Sequence, residues 1–412
     1  MEPDDIKTKK ILCILIVIVV IAAAIAISAI SSSNKQPDAQ SLVQKANSGI
    51  LEDTDYFPEK IDIEYAEGFE VEYHDNYKVV KIIDPWGRND ENYTYLLVQR
   101  GTEIPEGYDD ATLFYVPVEN AVTFSTTQIP HIVNIGEAES IKAINGIKNV
   151  NTQDIIDRYD EGLICEIGTT NSNSMSGIDA EKLIETEPDV AFVTSMNNPE
   201  YDNNRKLREL GLKPALVAEW MERTPLARAE WVKYFSLFYN KEEEANELFD
   251  EIVSGYNEAS EKAKSVSDRP TVFSGCDNQG TWSVAGGESF IGRLLEDAGA
   301  DYVWSDIDST GSVPYDFEIV YERASDADFW IDLRTDINTK EDILLKDERY
   351  SNFRAFQESN IFNNNAKLNE YGGNDYWEYG VSRPDLVLMD LIKIFHPDVV
   401  PDHELYFYKK IE

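Results

Sequence analysis

The sequence predicts an α/β protein of two similar lobes, and three observations lead to this class. One pattern occurs twice, at residues 181–193 and 318–331: a short amphipathic helix begins with an acidic residue and leads directly into an apolar strand. Each copy changes from helical spacing of apolar residues to a continuous apolar run, which is typical of a strand buried on both faces. Strands and helices alternate around both copies, which favours mainly parallel sheets. The longest helical stretch, residues 225–264, lies between them.

Composition and charge restrict the function classes. The 412 residues are 42% hydrophobic and 11% aromatic, which is typical of a folded globular chain. A formal net charge of -40 would repel a phosphate backbone, so nucleic acid is not expected as a partner. We interpret this charge as a solubilising or salt-adapted exterior. Cys13 lies in an apolar run, and Cys165 and Cys276 fall in different predicted lobes, so we expect two free, mostly buried thiols.

The N-terminus carries a membrane signal. Residues 11–30 contain no charge and are long enough to cross a bilayer core of about 30 Å. Lysines occur in the basic start, residues 1–10, and no basic residue follows the run until Lys35, so we expect a cytoplasmic N-terminus and an exported body. Small residues near the end of the run leave a cleaved signal peptide open. Cys13 lies near the beginning of the run, so lipid attachment is not predicted. Residues 31–55 are expected to form a tether to the extracytoplasmic face of the membrane.

The first lobe is predicted at residues 56–240 and begins with an extra β segment. Short β-rich runs at residues 69–99 are separated by turn residues at 84–87, which indicates a meander or hairpin. The rest of the lobe alternates between strands and helices. Its main expected elements are strands at 121–124, 191–194 and 215–218 and a helix at 201–210.

A connecting helix is predicted at residues 241–265, after a break near Asn240. Its apolar residues fall on one face: Ala245, Leu248, Phe249, Ile252 and Tyr256. The second lobe, residues 266–412, repeats the alternation, with a polar loop expected at 309–314. Its expected strands and helices lie at 271–274, 282–285, 290–298, 302–304, 329–333 and 386–395.

Short motifs between about residues 121 and 399 occur in an order that resembles one family. They lie at residues 167–168, 181–193, 207–214, 286–290, 294–300, 317–331, 349–356 and 383–397. Together they resemble the periplasmic binding proteins that deliver iron complexes, haem or cobalamin to ATP-binding-cassette (ABC) importers. The resemblance implies two Rossmann-like lobes joined by one long helix, acting as a monomer without a cofactor or enzymatic activity. The β segment at 69–99 is an addition to the shortest members.

This resemblance also implies a function. The protein would capture an iron(III) complex, haem or a cobalamin-like ligand in the cleft between the lobes and deliver it to the permease and its ATPase subunits. Members of the family dock through one glutamate on each lobe, which pairs with permease arginines. Glu181 matches the first glutamate and Glu318 the second, with Glu322 also open because of a one-residue length difference. A purely structural interpretation, acids favoured by the helix dipole, is the alternative.

Candidate ligand-binding residues follow from the rule that ligands gather at the carboxyl ends of parallel strands. They are Ser125, Thr126, Thr169, Trp220, Arg223, Trp282, Arg334 and Trp377. Aromatic faces and arginines suit a large planar or anionic ligand, although each aromatic residue could equally pack at a lobe edge. The four histidines are scattered, so a protein-built metal site is not predicted and a metal that arrives already chelated fits better.

Two other function classes remain open. No HExxH, GxSxG or GxxxxGK[ST] motif occurs, so we do not expect an enzyme. Because the chain has 77 acidic residues, some carboxylate pair suited to an acidic hydrolase is inevitable and carries little weight. An anchored surface sensor or adhesion module would also be acidic, but it would not need two docking glutamates.

Overall fold

The computed structural model describes residues 54–83, 93–168, 177–194 and 203–412. Asp55–Glu412 form one compact unit. The predicted anchor at residues 11–30, nearly all of the tether, and Thr169 lie outside the described residues. Within the described ranges, no helix is both long and apolar enough to cross a membrane.

The extra β segment is a four-stranded sheet. Its strands, in spatial order, are β1 (Phe69–Tyr73), β2 (Tyr77–Ile82), β3 (Tyr93–Gln99) and β4 (Thr112–Val116). The pairs β1–β2 and β2–β3 are antiparallel, whereas β3–β4 is parallel. Strands β1, β2 and β3 lie in the predicted β-rich range 69–99, whereas β4 lies beyond it, so the segment is larger than the predicted meander or hairpin.

Two buried charged side chains attach this segment to the helices of the body. Lys78 in β2 is fully buried and donates hydrogen bonds to Glu242 Oε1 at 2.7 Å and to the Leu237 carbonyl at 2.6 Å. Glu230 is also fully buried and accepts hydrogen bonds from the backbone N–H groups of Tyr65 and Ala66, both at 2.7 Å. Because a buried charge is tolerated only when it is paired, these contacts fix the position of the added sheet.

The first lobe is built around a five-stranded parallel sheet. Its strands are β5 (Ala121–Thr123), β6 (Ile141–Asn145), β7 (Cys165–Gly168), β8 (Val190–Val193) and β9 (Pro214–Leu216). They are arranged in the order β7-β6-β5-β8-β9. The helices of this lobe are α1 (Gln128–Asn134), α2 (Gln153–Asp160), α3 (Ala180–Glu185) and α4 (Asn203–Glu209).

A run of three helices leads from the first lobe to the second. They are α5 (Pro225–Ala229), α6 (Trp231–Tyr239) and α7 (Glu242–Lys264). Asn240, between α6 and α7, has a left-handed φ of 55°, which ends α6 where the sequence predicted a break. The predicted apolar face of α7 is directed inward: Ala245, Phe249, Ile252 and Tyr256 are buried and Leu248 packs against the core.

The second lobe contains a five-stranded sheet and a smaller antiparallel sheet. In chain order its strands are β10 (Thr271–Ser274), β11 (Asp277–Asn278), β12 (Thr281–Ala285), β13 (Asp301–Tyr302), β14 (Ser312–Tyr315), β15 (Phe329–Ile331), β16 (Ile361–Asn363) and β17 (Lys409–Lys410). The larger sheet has the order β13-β10-β15-β16-β17 and is parallel except for β17. The smaller sheet has the order β11-β12-β14, so residues 312–314, which were predicted to be a loop, are part of a strand.

Six helices complete the second lobe. They are α8 (Phe290–Asp297), α9 (Phe317–Ala324), α10 (Lys340–Lys346), α11 (Arg354–Gln357), α12 (Tyr379–Ser382) and α13 (Pro384–Phe395). The predicted repeat is confirmed, because α3 leads into β8 in the first lobe and α9 leads into β15 in the second. The chain is therefore an α/β protein of two similar lobes.

The two copies of the repeat also share an aspartate that the sequence analysis did not single out. Asp189, directly before β8, accepts hydrogen bonds from the Asn120 N–H at 3.1 Å and from Arg100 Nη2 at 2.8 Å. Asp328, before β15, accepts a hydrogen bond from the Thr271 N–H at 2.8 Å and forms an ion pair with Arg354. In each lobe this carboxylate ties the beginning of the central strands together.

Candidate ligand-binding site

A cavity of about 690 Å³ opens in the second lobe at the carboxyl ends of β10, β15 and β16. This volume lies within the range of small-molecule pockets. As far as the described residues define it, the lining comes from the second lobe: Ser274, Gly275, Asn278, Ser283, Ala285, Ile291, Ser312, Asp332, Leu333, Arg334, Thr335, Asp336, Asn364 and Trp377. The rule that ligands gather at the carboxyl ends of parallel strands therefore identifies a real concavity.

The floor of the cavity is held by two indole hydrogen bonds at the end of β10. Trp282 Nε1 donates to the Ser274 carbonyl at 3.0 Å, and Trp330 Nε1 donates to the Gly275 carbonyl at 2.7 Å. Gly275 has a φ of 86°, and a Cβ at this position would lie 3.0 Å from Trp282 Nε1. Only glycine fits here without strain, because both the backbone angle and the indole exclude a side chain.

Trp282 was predicted to contact ligand, but the structure places it behind the cavity and outside its lining. Its side chain is fully buried and stacks on Trp330 with ring centroids 5.7 Å apart, within an aromatic cluster that includes Phe273 and Tyr350. Side chains alternate between the two faces of β12, so Trp282 and Val284 are buried in the core, and Ser283, between them, is exposed and lines the cavity. Trp282 supports the cavity from behind and does not line it.

Arg334 and Trp377, two other candidates, do line the cavity. Arg334 follows β15, and its guanidinium donates hydrogen bonds to Asp336 Oδ1 at 3.0 Å and to Asn278 Oδ1 at 2.7 Å. Trp377 is 45% exposed and comes from a turn, Asp375–Trp377, outside the sheet. The cavity thus has an exposed indole and an arginine that already has polar partners.

Asp332, which the sequence analysis missed, also lines the cavity. It follows β15 directly and has a left-handed φ of 53°, a conformation that costs energy for a residue other than glycine. Asp332 Oδ1 accepts hydrogen bonds from Tyr408 Oη at 2.7 Å and Asn364 Nδ2 at 3.0 Å, whereas Oδ2 is buried and accepts none from the residues that the structure describes. Burial raises the pKa of Asp332 to about 6. Its place two residues before Arg334 was the signal that could have identified it.

The candidates of the first lobe gather at the carboxyl ends of β5 and β9. Ser125 and Thr126 follow β5, and the Ser125 hydroxyl lies 3.0 Å from that of Thr127, which donates a hydrogen bond to Glu219 Oε1 at 2.7 Å. Glu219 follows β9 and is buried, and desolvation raises its pKa. Trp220, the next residue, is 37% exposed. The structure therefore brings Ser125, Thr126 and Trp220 to the same edge of the sheet.

Arg228 in α5 connects this edge with the second lobe. Its guanidinium donates to the carbonyls of Trp220 at 2.9 Å and Glu222 at 3.1 Å and lies 4.2 Å from the centroid of the Phe290 ring in α8. Desolvation lowers the pKa of Arg228 to about 10, so the side chain remains charged at neutral pH. Arg223, the predicted candidate nearby, is exposed. The arginine that contacts both lobes is therefore Arg228, which was not among the predicted candidates.

Residues 367–378, here called the strap, form a second connection between the lobes. Glu378 is fully buried and accepts hydrogen bonds from the N–H groups of Asn151 at 2.8 Å and Thr152 at 2.9 Å, at the beginning of α2. Asn369 Nδ2 donates to the Val150 carbonyl at 3.0 Å. Burial raises the pKa of Glu378 to about 7. Trp377 lines the cavity, and the next residue, Glu378, hydrogen-bonds to the first lobe. The cavity and the contact between the lobes are therefore adjacent along the chain.

The two predicted docking glutamates are both exposed. Glu181 lies in the first turn of α3 and Glu318 in the first turn of α9, so they occupy equivalent places in the two lobes. Glu318 Oε1 accepts a hydrogen bond from Arg349 Nη1 at 3.0 Å. Glu322, the alternative, is also exposed on α9.

The cysteines and histidines show no shared site in the described part of the chain. Cys165 and Cys276 are free thiols in different lobes, as expected, and Cys276 is buried while Cys165 is half-buried. Burial raises the pKa of the Cys276 thiol to about 11. His131 is buried and stacks on Phe235, with ring centroids 5.2 Å apart. Among the described residues, no group of three or more His, Cys, Asp or Glu side chains is placed to hold a metal ion.

Comparison with known sequences identifies the family. The pattern of the periplasmic binding proteins matches residues 122–368, which is more than half of the chain. The chain therefore belongs to the periplasmic binding protein family, a family of solute-binding proteins rather than enzymes.

One relative and two solved structures illustrate the likeness. An uncharacterized lipoprotein of Methanocaldococcus jannaschii is 28% identical over 355 residues, which cover 82% of this chain and 79% of the relative. A possible iron-binding (periplasmic solute-binding) protein from Staphylococcus epidermidis is 15% identical with a TM-score of 0.53, covering 68% of this chain and 98% of that one. A periplasmic heme binding protein from Pseudomonas aeruginosa is also 15% identical with a TM-score of 0.53, covering 72% and 98%. These structures share the fold of two α/β lobes.

Proposed function

We propose that this protein is the extracytoplasmic solute-binding component of an ABC importer and captures an iron(III) complex, haem or a cobalamin-like ligand. The cavity at the carboxyl ends of β10, β15 and β16 is the observation that carries this proposal. Its volume suits a chelate of moderate size, and the exposed indole of Trp377 offers a flat apolar contact beside polar groups. The fold shared with proteins described as iron-binding and heme-binding supports the ligand class.

The cleft between the lobes supplies the second wall of the proposed site. Ser125, Thr126 and Trp220 lie at the carboxyl edge of the first sheet, and Arg228 holds the Trp220 loop close to Phe290 of the second lobe. A ligand seated against Trp377 would meet this edge as the lobes approach. Thr169, the remaining candidate, follows β7 of the same sheet in the sequence.

Delivery to the permease would use the two exposed glutamates. Glu181 and Glu318 lie in the first turns of equivalent helices, one on each lobe, and two distant charges fix the orientation of a complex. Arg349 already pairs with Glu318, so docking would require Glu318 to exchange Arg349 for a permease arginine. The same helix also offers Glu322.

The N-terminal apolar run would hold the protein at the extracytoplasmic face of the membrane. The relative from Methanocaldococcus jannaschii is named a lipoprotein, which supports a membrane-attached solute-binding protein. In this chain Cys13 lies near the beginning of the run, so we propose the run itself, residues 11–30, as the anchor.

Calorimetric titration of the purified full-length protein with a ferric hydroxamate, haem and cobalamin tests this function. The proposal predicts saturable one-to-one binding of at least one ligand. Folded protein that binds none of the three would contradict it. A variant with Arg334→Ala and Asp332→Ala should lose affinity, whereas Arg323→Ala, which removes an exposed arginine outside the cavity lining, should bind normally.

A further inference from the structure

We propose that the cavity selects neutral or cationic hydrogen-bonding complexes over polyanionic ones, and that Asp336 sets this preference by occupying Arg334. This inference rests on the proposed function and narrows its ligand class. It also revises the expectation, drawn from the sequence, that an arginine in the cleft favours an anionic ligand.

The arginine of the cavity is already engaged by a carboxylate and an amide, which weakens it as an anion receptor. Its Nε atom donates to Asp336 Oδ1 at 3.0 Å and its Nη1 atom donates to Asn278 Oδ1 at 2.7 Å. Asp336 uses its other oxygen, Oδ2, to accept a hydrogen bond from Lys346 Nζ at 2.8 Å. A bidentate anion that binds along the Nε edge of the guanidinium would have to break the pair between Arg334 and Asp336, and an anion at the other edge would still lie close to the Asp336 carboxylate.

The other lining groups favour a neutral partner. Two aspartates, Asp332 and Asp336, and one arginine, Arg334, are the charged residues among those that define the lining, so its formal charge is negative by one. Lys346, behind Asp336, brings the group to neutrality. The remaining polar lining consists of hydroxyl and amide groups: Ser274, Asn278, Ser283, Ser312, Thr335 and Asn364. Such groups hydrogen-bond a neutral chelate without requiring charge.

Neither Arg228 nor Arg223, which the structure describes beside Trp220 in the first lobe, brings a net positive charge to this edge. Arg228, which reaches toward the second lobe, lies near the buried carboxylate of Glu219 and donates to backbone carbonyls. Arg223 is exposed but shares its loop with Glu219 and Glu222. These two arginines and two glutamates have a net formal charge of zero, so they do not make the cleft an anion-binding site.

The charge of the whole chain acts in the same direction. A formal net charge of -40 repels anions that approach the surface and attracts cations, although salt screens the effect beyond about 8 Å at physiological ionic strength. Local pairing of Arg334 and the long-range field therefore both disfavour a polyanion.

The test compares ferric complexes that differ in charge. The purified full-length protein is titrated calorimetrically with a neutral ferric trihydroxamate, a cationic ferric trihydroxamate and a polyanionic ferric tricatecholate. We expect the neutral or cationic complex to bind at least about tenfold more tightly than the tricatecholate. Asp336→Asn should release Arg334 and reduce the ratio of the two affinities by about tenfold. Asp306→Asn is the matched control, because Asp306 pairs with Arg323 at 2.6 Å and neither residue lines the cavity.

Each outcome separates the inference from the function on which it rests. Tighter binding of the tricatecholate would overturn the inference and leave metal-complex capture intact. If Asp336→Asn and Asp306→Asn change the affinity ratio equally, the proposed role of Asp336 is wrong. Absence of saturable binding by all three complexes would overturn the inference together with capture of iron complexes, whereas haem and cobalamin binding would then decide the broader function.

Discussion

At the scale of single residues, two tryptophans that the sequence analysis treated alike have different environments. Trp282 is fully buried beneath the cavity, where its indole holds the Ser274 carbonyl, whereas Trp377 is 45% exposed in the cavity lining. The position of each residue relative to the strand explains the difference, because Trp282 lies on the inner face of β12 and Trp377 lies outside the sheet. Substitution of each residue should therefore affect a different property.

Trp377→Ala should weaken ligand binding by about tenfold and change the free energy of unfolding by no more than about 0.5 kcal/mol. The indole offers its exposed face to a ligand but contributes little to the core. Calorimetric titration and denaturant unfolding measure the two quantities. Trp377→Phe keeps an aromatic face and should recover part of the affinity. Unchanged affinity in Trp377→Ala would remove this residue from the site.

Trp282→Ala should lower the free energy of unfolding by about 3–5 kcal/mol, because it creates a large void in the aromatic cluster and leaves the Ser274 carbonyl without its donor. Urea-induced unfolding checks this prediction. A loss below about 1 kcal/mol would mean that the indole is not part of a tightly packed core. Leu345→Ala, at an exposed position of α10, is the control that should leave stability unchanged.

At the scale of elements, the strap joins the two lobes through a carboxylate at the beginning of α2. Glu378 accepts hydrogen bonds from the N–H groups of Asn151 and Thr152, which have no acceptor within α2. The carboxylate replaces the solvent that would otherwise bind these groups, but its burial disfavours the ionised form and raises its pKa to about 7. We therefore expect the strength of this contact between the lobes to change with the protonation of Glu378.

Glu378→Ala should be more destabilising at pH 5 than at pH 8, by up to about 3 kcal/mol. A carboxyl whose pKa is raised in the folded protein contributes its full stability below its ordinary pKa, near 4.5, and loses that contribution as pH rises through about 7. Denaturant unfolding of both proteins across this range measures the difference. Glu106→Ala, at an exposed loop position, is the control. A destabilisation that is constant with pH would contradict the assignment.

The elements also show what the sequence can and cannot predict. The helix–strand repeat and α7 were predictable, because their apolar patterns are local and their ends carry recognisable residues. Strand β4 was missed because it pairs in parallel with β3 rather than through a hairpin. Glu378 and Asn151 are 227 positions apart, and their hydrogen bond follows only from the folded arrangement of the lobes. Asp332 could have been selected, since it lies two residues before the candidate Arg334, but its strained backbone and buried oxygen have no sequence signal.

At the scale of the whole molecule, each lobe carries an exposed glutamate at an equivalent position, whereas the cavity described above lies in the second lobe. The first-turn glutamates Glu181 and Glu318 lie on helices of the repeated unit, outside the cavity lining. Under the proposed function, capture and delivery would therefore use separate surfaces. Substitutions on one surface should leave the other property unchanged.

The double variant Glu181→Ala with Glu318→Ala should retain ligand affinity and lose most transport activity in membranes that contain the cognate permease. The expected loss is at least about tenfold, because each substitution removes a charge-assisted contact. Radiolabelled iron uptake into vesicles checks transport, and calorimetry checks affinity. Glu322→Ala tests the alternative second glutamate. Normal uptake by the double variant, with Glu322→Ala also normal, would contradict docking through these helices.

The most direct test of ligand capture is a crystal structure of the protein with a bound ferric complex, with the iron located by its anomalous scattering. The proposed site predicts one iron position at the carboxyl ends of β10, β15 and β16, with the chelate in contact with Trp377. The edge of the first lobe that carries Ser125 and Trp220 would cover the chelate from the other side. An iron atom bound elsewhere on the protein, with this cavity containing only water, would contradict the central claim.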